Sequence, residues 1–114
     1  MLTFHLNDLS SEELFKDVLV RLVNGDELTL NYFELKSRGV EIPSHGHPVE
    51  HLVLVLDGEL EFMFGGEKTS LKEKKGLFLS ANTLHSARVI QAPVKALEIF
   101  IIAEDRYYEK SDAK

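Results

Sequence analysis

From Val18 to Ile102 the chain is written in short apolar runs separated by turn dipeptides, and no interval between them is long enough for the helix that a parallel crossover needs. Val18-Leu19-Val20-Arg21-Leu22-Val23 is followed by Asn24-Gly25 and then by Leu28 to Leu35. Both residues of an Asn-Gly pair tolerate positive φ, so an antiparallel hairpin is expected there. Leu52 to Leu56, Asp57-Gly58 and Glu59 to Phe64 repeat the pattern, and Gly65-Gly66 turns the chain again toward Lys68 to Leu71. Next come Gly76 to Leu79, a turn over Ser80 to Thr83, a strand from His85 to Ile90, the loop Gln91-Ala92-Pro93 and a last strand from Val94 to Ile102. Short connections throughout confine the chain to an all-β antiparallel sandwich or barrel of about eight or more strands.

The ends read differently. Ser10-Ser11-Glu12-Glu13 has the form of a capping box, with Ser followed three residues later by Glu, and predicts a short helical turn over Ser11 to Lys16. Asp105 to Lys114 is charged and lacks a strand pattern, which suggests a brief helix or a frayed tail. With 114 residues and no internal repeat, residues 1–114 form one domain, with a core over about 18–102 and a tail over 103–114.

Charge and composition remove several functions. A formal net charge of -6 would repel a polyanion, so no nucleic-acid partner is expected. The one basic cluster, Lys68, Lys72, Lys74 and Lys75, is interrupted by Glu67 and Glu73 and reads as a solvated loop. No apolar run approaches the ~20 residues of a membrane-spanning helix, and Met1 to His5 has no basic leader, so a cytoplasmic protein with no membrane partner is expected. The chain has no cysteine, which excludes both disulfides and thiolate metal sites.

Imidazoles remain as the ligands on offer. His45, His47 and His51 lie in the run Pro43 to His51, at positions of one parity, so an extended strand would turn all three to the same face. His85 lies 34 residues beyond His51, after several strands, and a folded-over sheet could return it to the cluster. Neutral imidazoles suit Zn, Cu, Fe and Ni, and nitrogen sites also take Mn. His5 has no partner in this pattern and is expected on the surface. Phe33, Phe62, Phe64, Phe78 and Phe100 are expected in the core, while Glu34, Arg88 and Glu98 lie in strand-like segments that could turn them inward toward the histidines, with edge or surface placement expected for each.

Gly39, His45-Gly46-His47, His51 and Gly58 are separated by five, three and six residues, a spacing that resembles the first motif of the cupin superfamily. His51 stands where that motif usually has Glu, and Glu50 falls one position short of it. Ser80 to Ser86 resembles the second motif, with His85 as its histidine and with Ser80 and Leu84 where prolines are usual. The resemblance implies a double-stranded β-helix, the RmlC-like jelly-roll barrel, holding a divalent metal ion (Mn, Fe, Ni, Cu or Zn) on His45, His47, His51 and His85. It also implies a homodimer and a small-molecule ligand. Four neutral ligands would leave the cation its full charge, so an anionic ligand is expected.

Three functions stay open on the sequence. One is a metal-dependent dioxygenase, drawn from the open positions that four nitrogen ligands leave on the ion. Another is a binding or sensing module without turnover. A third is a metal-free epimerase or isomerase in which a histidine acts as general base. No catalytic residue is assigned among them.

Overall fold

The computed structural model describes residues 1–101, so Ile102 and the expected tail lie outside the described residues. Alternation in the sequence becomes eight antiparallel strands: β1 (Ser11–Phe15), β2 (Val18–Asn24), β3 (Leu28–Leu35), β4 (Glu41–His45), β5 (His51–Phe64), β6 (Glu67–Leu71), β7 (Gly76–Leu79) and β8 (His85–Ile101). Among the described residues no helix is long and apolar enough to cross a membrane.

Two long strands organise the rest. β5 and β8 pair along most of their lengths, from His51↔Phe100 to Phe64↔His85, and the pairing slips at bulges between Val55 and Leu60. On one side of that irregularity the sheet runs β1–β2–β3–β8–β5–β7, and on the other β4–β8–β5–β6. Bending at the bulges folds these halves over each other, and one apolar cluster lies between them, with Val18, Leu35 and Val55 from the first half and Leu60, Leu71 and Val89 from the second.

The bend corrects the expected hairpin at Asp57-Gly58. Gly58 has φ +81°, but the chain continues in the same strand, because residues on both sides of it keep pairing with β8. A Cβ there would drive into the carbonyl oxygens of Pro93 and Gln91, so the corner admits only glycine. The expected loop Gln91-Ala92-Pro93 is likewise part of β8, and its Ala92–Pro93 bond is cis.

Each bend changes the parity of the inward residues. In β5 they are His51, Val53 and Val55 before the corner and Leu60 and Phe62 after it; in β8 they are His85, Ala87 and Val89, then Val94, Ala96 and Glu98. A strict period of two cannot be carried through such a corner.

Other turns follow the sequence more closely. Gly65 and Gly66, both at positive φ, make the tight β5–β6 hairpin. The β2–β3 hairpin forms, but Gly25 N–H donates to the Leu28 carbonyl at 2.7 Å, so Asp26-Glu27 rather than Asn24-Gly25 occupies the tip. Pairing Val18 with Leu35 keeps both buried, and that register sets the loop. Lys72 to Lys75 is exposed, as expected of a solvated loop, with its backbone bonded to Val55.

The helical turn occurs earlier than the capping box suggests. Leu6–Asp8 forms a single 3₁₀ turn, capped by His5 Nδ1 accepting from Asn7 N–H at 3.1 Å, whereas Ser11–Phe15 is strand β1. A six-residue helix has too few internal bonds to offset nucleation, while the edge of β2 offers a ladder from Ser11↔Arg21 to Phe15↔Val18. Arg21 then secures the preceding segment, its guanidinium donating to the carbonyls of Leu6, Asn7 and Leu9.

Candidate metal centre

The histidines reach one place from separate elements. His45 ends β4, His51 begins β5 and His85 begins β8, while His47 sits in the connection between β4 and β5. The expectation of a single strand presenting 45, 47 and 51 on one face is therefore corrected: Pro48 cannot donate to a ladder, and the chain leaves the sheet after His45. Convergence survives because Asn82 N–H donates to the His47 carbonyl at 2.6 Å, joining the turn before His85 to the histidine loop. A Cβ on Gly46 would stand 3.3 Å from the Thr83 carbonyl oxygen, so a small residue permits that close approach.

Ring centroids lie 4.4 Å apart for His45 and His85, 4.8 Å for His47 and His51, 5.0 Å for His45 and His47, and 5.4 Å for His51 and His85. Backbone carbonyls fix the ring edges. His45 Nδ1 lies 2.8 Å from the Pro43 carbonyl, His85 Nδ1 2.9 Å from that of Thr83 and His51 Nδ1 3.4 Å from that of Val49. A carbonyl only accepts, so Nδ1 carries the proton in each and Nε2 keeps its lone pair.

A carboxylate joins them for which the sequence allowed an inward position but favoured an edge or the surface. Glu98 is buried, with Oε2 3.5 Å from His51 Nε2 and 3.8 Å from His47 Nε2. Asn31, its register partner on β3, donates from Nδ2 to Glu98 Oε1 at 3.0 Å. The parity change in β8 is what turns Glu98 inward. Of the other two residues given the same expectation, Arg88 is exposed and Glu34 half-buried, 3.7 Å from Arg21. No sequence signal marked Asn31, although its odd position alongside Thr29, Phe33 and Leu35 on β3 would have placed it inward once the register was known.

Ligand atoms of His47, His51, His85 and Glu98 all lie within 4.8 Å of one another. Three of the four expected histidines thus belong to a tight group, with His45 against its side and Glu98 as the additional member. His47 Nε2 and His51 Nε2 are buried and have no hydrogen-bond partner. An orphaned buried acceptor costs about 1–3 kcal/mol, and a cation among these atoms would remove that penalty. Burial holds His47, His51 and His85 below the ordinary imidazole range, with Glu98 opposing the shift on His47 and His51, so the rings are neutral at pH 7. The donor set therefore fits a divalent metal ion. With Glu98 in it, the net charge of a bound divalent cation falls from +2 toward +1, which weakens the expected preference for anions.

Next to the cluster lies a cavity of about 600 Å³, within the roughly 300–1,000 Å³ range of small-molecule sites. His45, His47, His85, Glu98 and Asn31 reach it, Ser10 and Glu12 add polar groups from the N-terminal segment, and the rest of its wall is apolar, Phe33, Leu35, Val53, Leu60 and Phe62 among it. Phe100 stacks on His47 at 5.9 Å. Phe78, expected in the core, is instead 74% exposed, since its neighbours Leu77 and Leu79 take the inward side of β7.

Against known proteins, a family model described as cupin domain matches residues 31–100. No curated protein matches the chain. Among solved structures, KdgF from Halomonas sp. superposes with a TM-score of 0.80 at 17% identity, covering 89% of this chain and 93% of that one. The polyketide cyclase RemF from Streptomyces resistomycificus gives 0.78 at 20% identity, covering 90% and 80%. An RmlC-like cupin from Shewanella frigidimarina gives 0.77 at 17% identity, covering 92% and 93%. At these identities the likeness is one of fold.

Proposed function

Because this chain belongs to the cupin domain family, whose model spans residues 31–100, we propose that it binds a divalent metal ion in its barrel and uses that centre to bind and transform a small organic molecule. The observation that carries the reading is the pair of buried, unpartnered nitrogens, His47 Nε2 and His51 Nε2, grouped with His85 and Glu98 beside a cavity.

In this reading His47, His51 and His85 supply neutral nitrogen ligands, His45 offers a fourth from beside His85, and Glu98 supplies negative charge. The cation would act as a Lewis acid toward oxygen atoms of the ligand and, where redox-active, exchange electrons with it. The carbonyls of Pro43, Val49 and Thr83 hold the rings in the tautomer that presents Nε2. Asn31 orients Glu98 through its Oε1, leaving Oε2 toward the imidazoles. The apolar part of the cavity wall lowers the local dielectric and so strengthens charge interactions beside it.

Oxygen-dependent oxidation, a dioxygenase-type reaction, is the class we propose for a redox-active occupant. Elemental analysis of freshly purified protein should find close to one transition metal per chain, and His51→Ala should lose it. Oxygen uptake should then depend on Fe, Mn, Ni or Cu and stop in the same variant. A chain that takes up no metal would overturn the centre, while zinc occupancy with ligand binding and no oxygen uptake would leave a binding module.

A further inference from the structure

We infer that the molecule recognised by this cavity is a flat, mostly apolar ring compound carrying an enol or phenol hydroxyl, with the hydroxyl toward Asn31 and the ring body between Phe33 and Phe62. The inference rests on the cavity being the working site proposed above, and names the class of ligand that it takes.

The shape follows from two matching cross-strand pairs. Phe33 pairs with Ala96 in one half of the folded sheet, and Phe62 pairs with Ala87 in the other. All four line the cavity. Each phenyl ring thus stands beside a position where the partner strand has only a methyl group, and the two halves face each other. An alanine beside a phenylalanine leaves space next to an aromatic surface. A planar body fits such a space and gains offset or edge-to-face ring contacts beyond the area it buries.

The polar end follows from Asn31. Its Nδ2 donates to Glu98, which fixes the amide orientation because a carboxylate oxygen needs a donor. The Oδ1 then becomes a buried acceptor with no partner, in a residue that lines the cavity. A neutral hydroxyl supplies the missing donor. Away from the histidine end and from Ser10 and Glu12 at the N-terminal segment, the lining beside Asn31 is apolar, with Phe33, Leu35, Val53, Leu60 and Phe62, so one hydroxyl is matched there and the several hydroxyls of a sugar acid are not. Each hydroxyl left unpaired there would lose its bonds to water without replacement, which weakens binding.

The test uses 2-naphthol, 2-methylnaphthalene and galacturonate as probes, titrated calorimetrically into metal-free and zinc-loaded protein, with metal content measured in parallel. Wild-type protein should bind 2-naphthol about tenfold more tightly than 2-methylnaphthalene, the discrimination expected of one buried hydrogen bond, and bind galacturonate least. Ala96→Leu fills the space beside Phe33 and should weaken 2-naphthol at least about tenfold while metal content stays at the wild-type level. Asn31→Leu should bring 2-naphthol down to the affinity of 2-methylnaphthalene, and this variant decides the matter if Ala96→Leu fails to fold. Galacturonate binding more tightly than 2-naphthol, or 2-naphthol binding unchanged in the variants that fold, would overturn the inference. If 2-naphthol binds as described to a protein that takes up no metal, the ligand class stands and the metal centre fails. If metal binds and 2-naphthol does not, the reverse holds.

Discussion

The corner of the barrel and the histidine cluster are both irregular places on β5 and β8, and they are irregular in opposite ways. At the corner Gly58 must lack a side chain, since a Cβ would enter the carbonyls of Pro93 and Gln91. At the cluster His47, His51, His85 and Glu98 bring particular side chains together and leave two buried nitrogens without partners. The corner is fully explained by folding. The cluster is not: an apolar set of similar volume would serve the folded state at least as well, so the polar set points to something that binds there.

The largest effect should come from breaking the corner. Gly58→Ala imposes positive φ on a residue with a Cβ and adds a backbone clash, and should cost about 3 kcal/mol or more in urea unfolding. The cluster should answer differently. His51→Leu should change the stability of metal-free protein by less than about 1 kcal/mol, because it removes an orphaned acceptor along with its contacts. The same variant should abolish the rise in melting temperature that added metal gives to wild type. A large loss of metal-free stability in His51→Leu would erase the contrast between the two regions.

Glu98→Gln sharpens the comparison from within the cluster. It keeps an acceptor for Asn31 but removes the charge, and should weaken metal binding about tenfold, read by competition with a chelator. Unchanged affinity would make Glu98 a neighbour of the metal ligands and return the centre to its four imidazoles.

The smallest effect should be on pH. Burial lowers His47, His51 and His85 from 6.5, so during acidification the unfolded chain takes up protons that the folded one does not. Metal-free stability should hold above that value, fall as the pH drops from 6.5 to the lowered folded values, and show no further loss from these groups below them. The variant His51→Leu should show a shallower slope.

Much of the fold was legible because its signals are local. The Gly65-Gly66 hairpin, the apolar alternation of Leu52 to Leu56 and the short strand at Gly76 to Leu79 each depend on neighbours in the chain. Local signals also misled. The capping box at Ser10 to Glu13 lost to pairing with β2, and Asp57-Gly58 has turn chemistry that the structure uses to bend a strand rather than reverse it.

The sequence by itself determined an antiparallel all-β chain and three histidines grouped by spacing, with His85 added by motif resemblance, because alternation, turn residues and motif spacing are properties of nearby positions. Only the tertiary structure decided that Glu98 faces His47 and His51, that Asn31 holds it, and that Phe33 and Phe62, each paired with an alanine, line one cavity. The physical reason is the corner: a bulge shifts the period-two alternation by one residue, and which side chains then point inward depends on strand pairing between residues as far apart as Asn31 and Glu98.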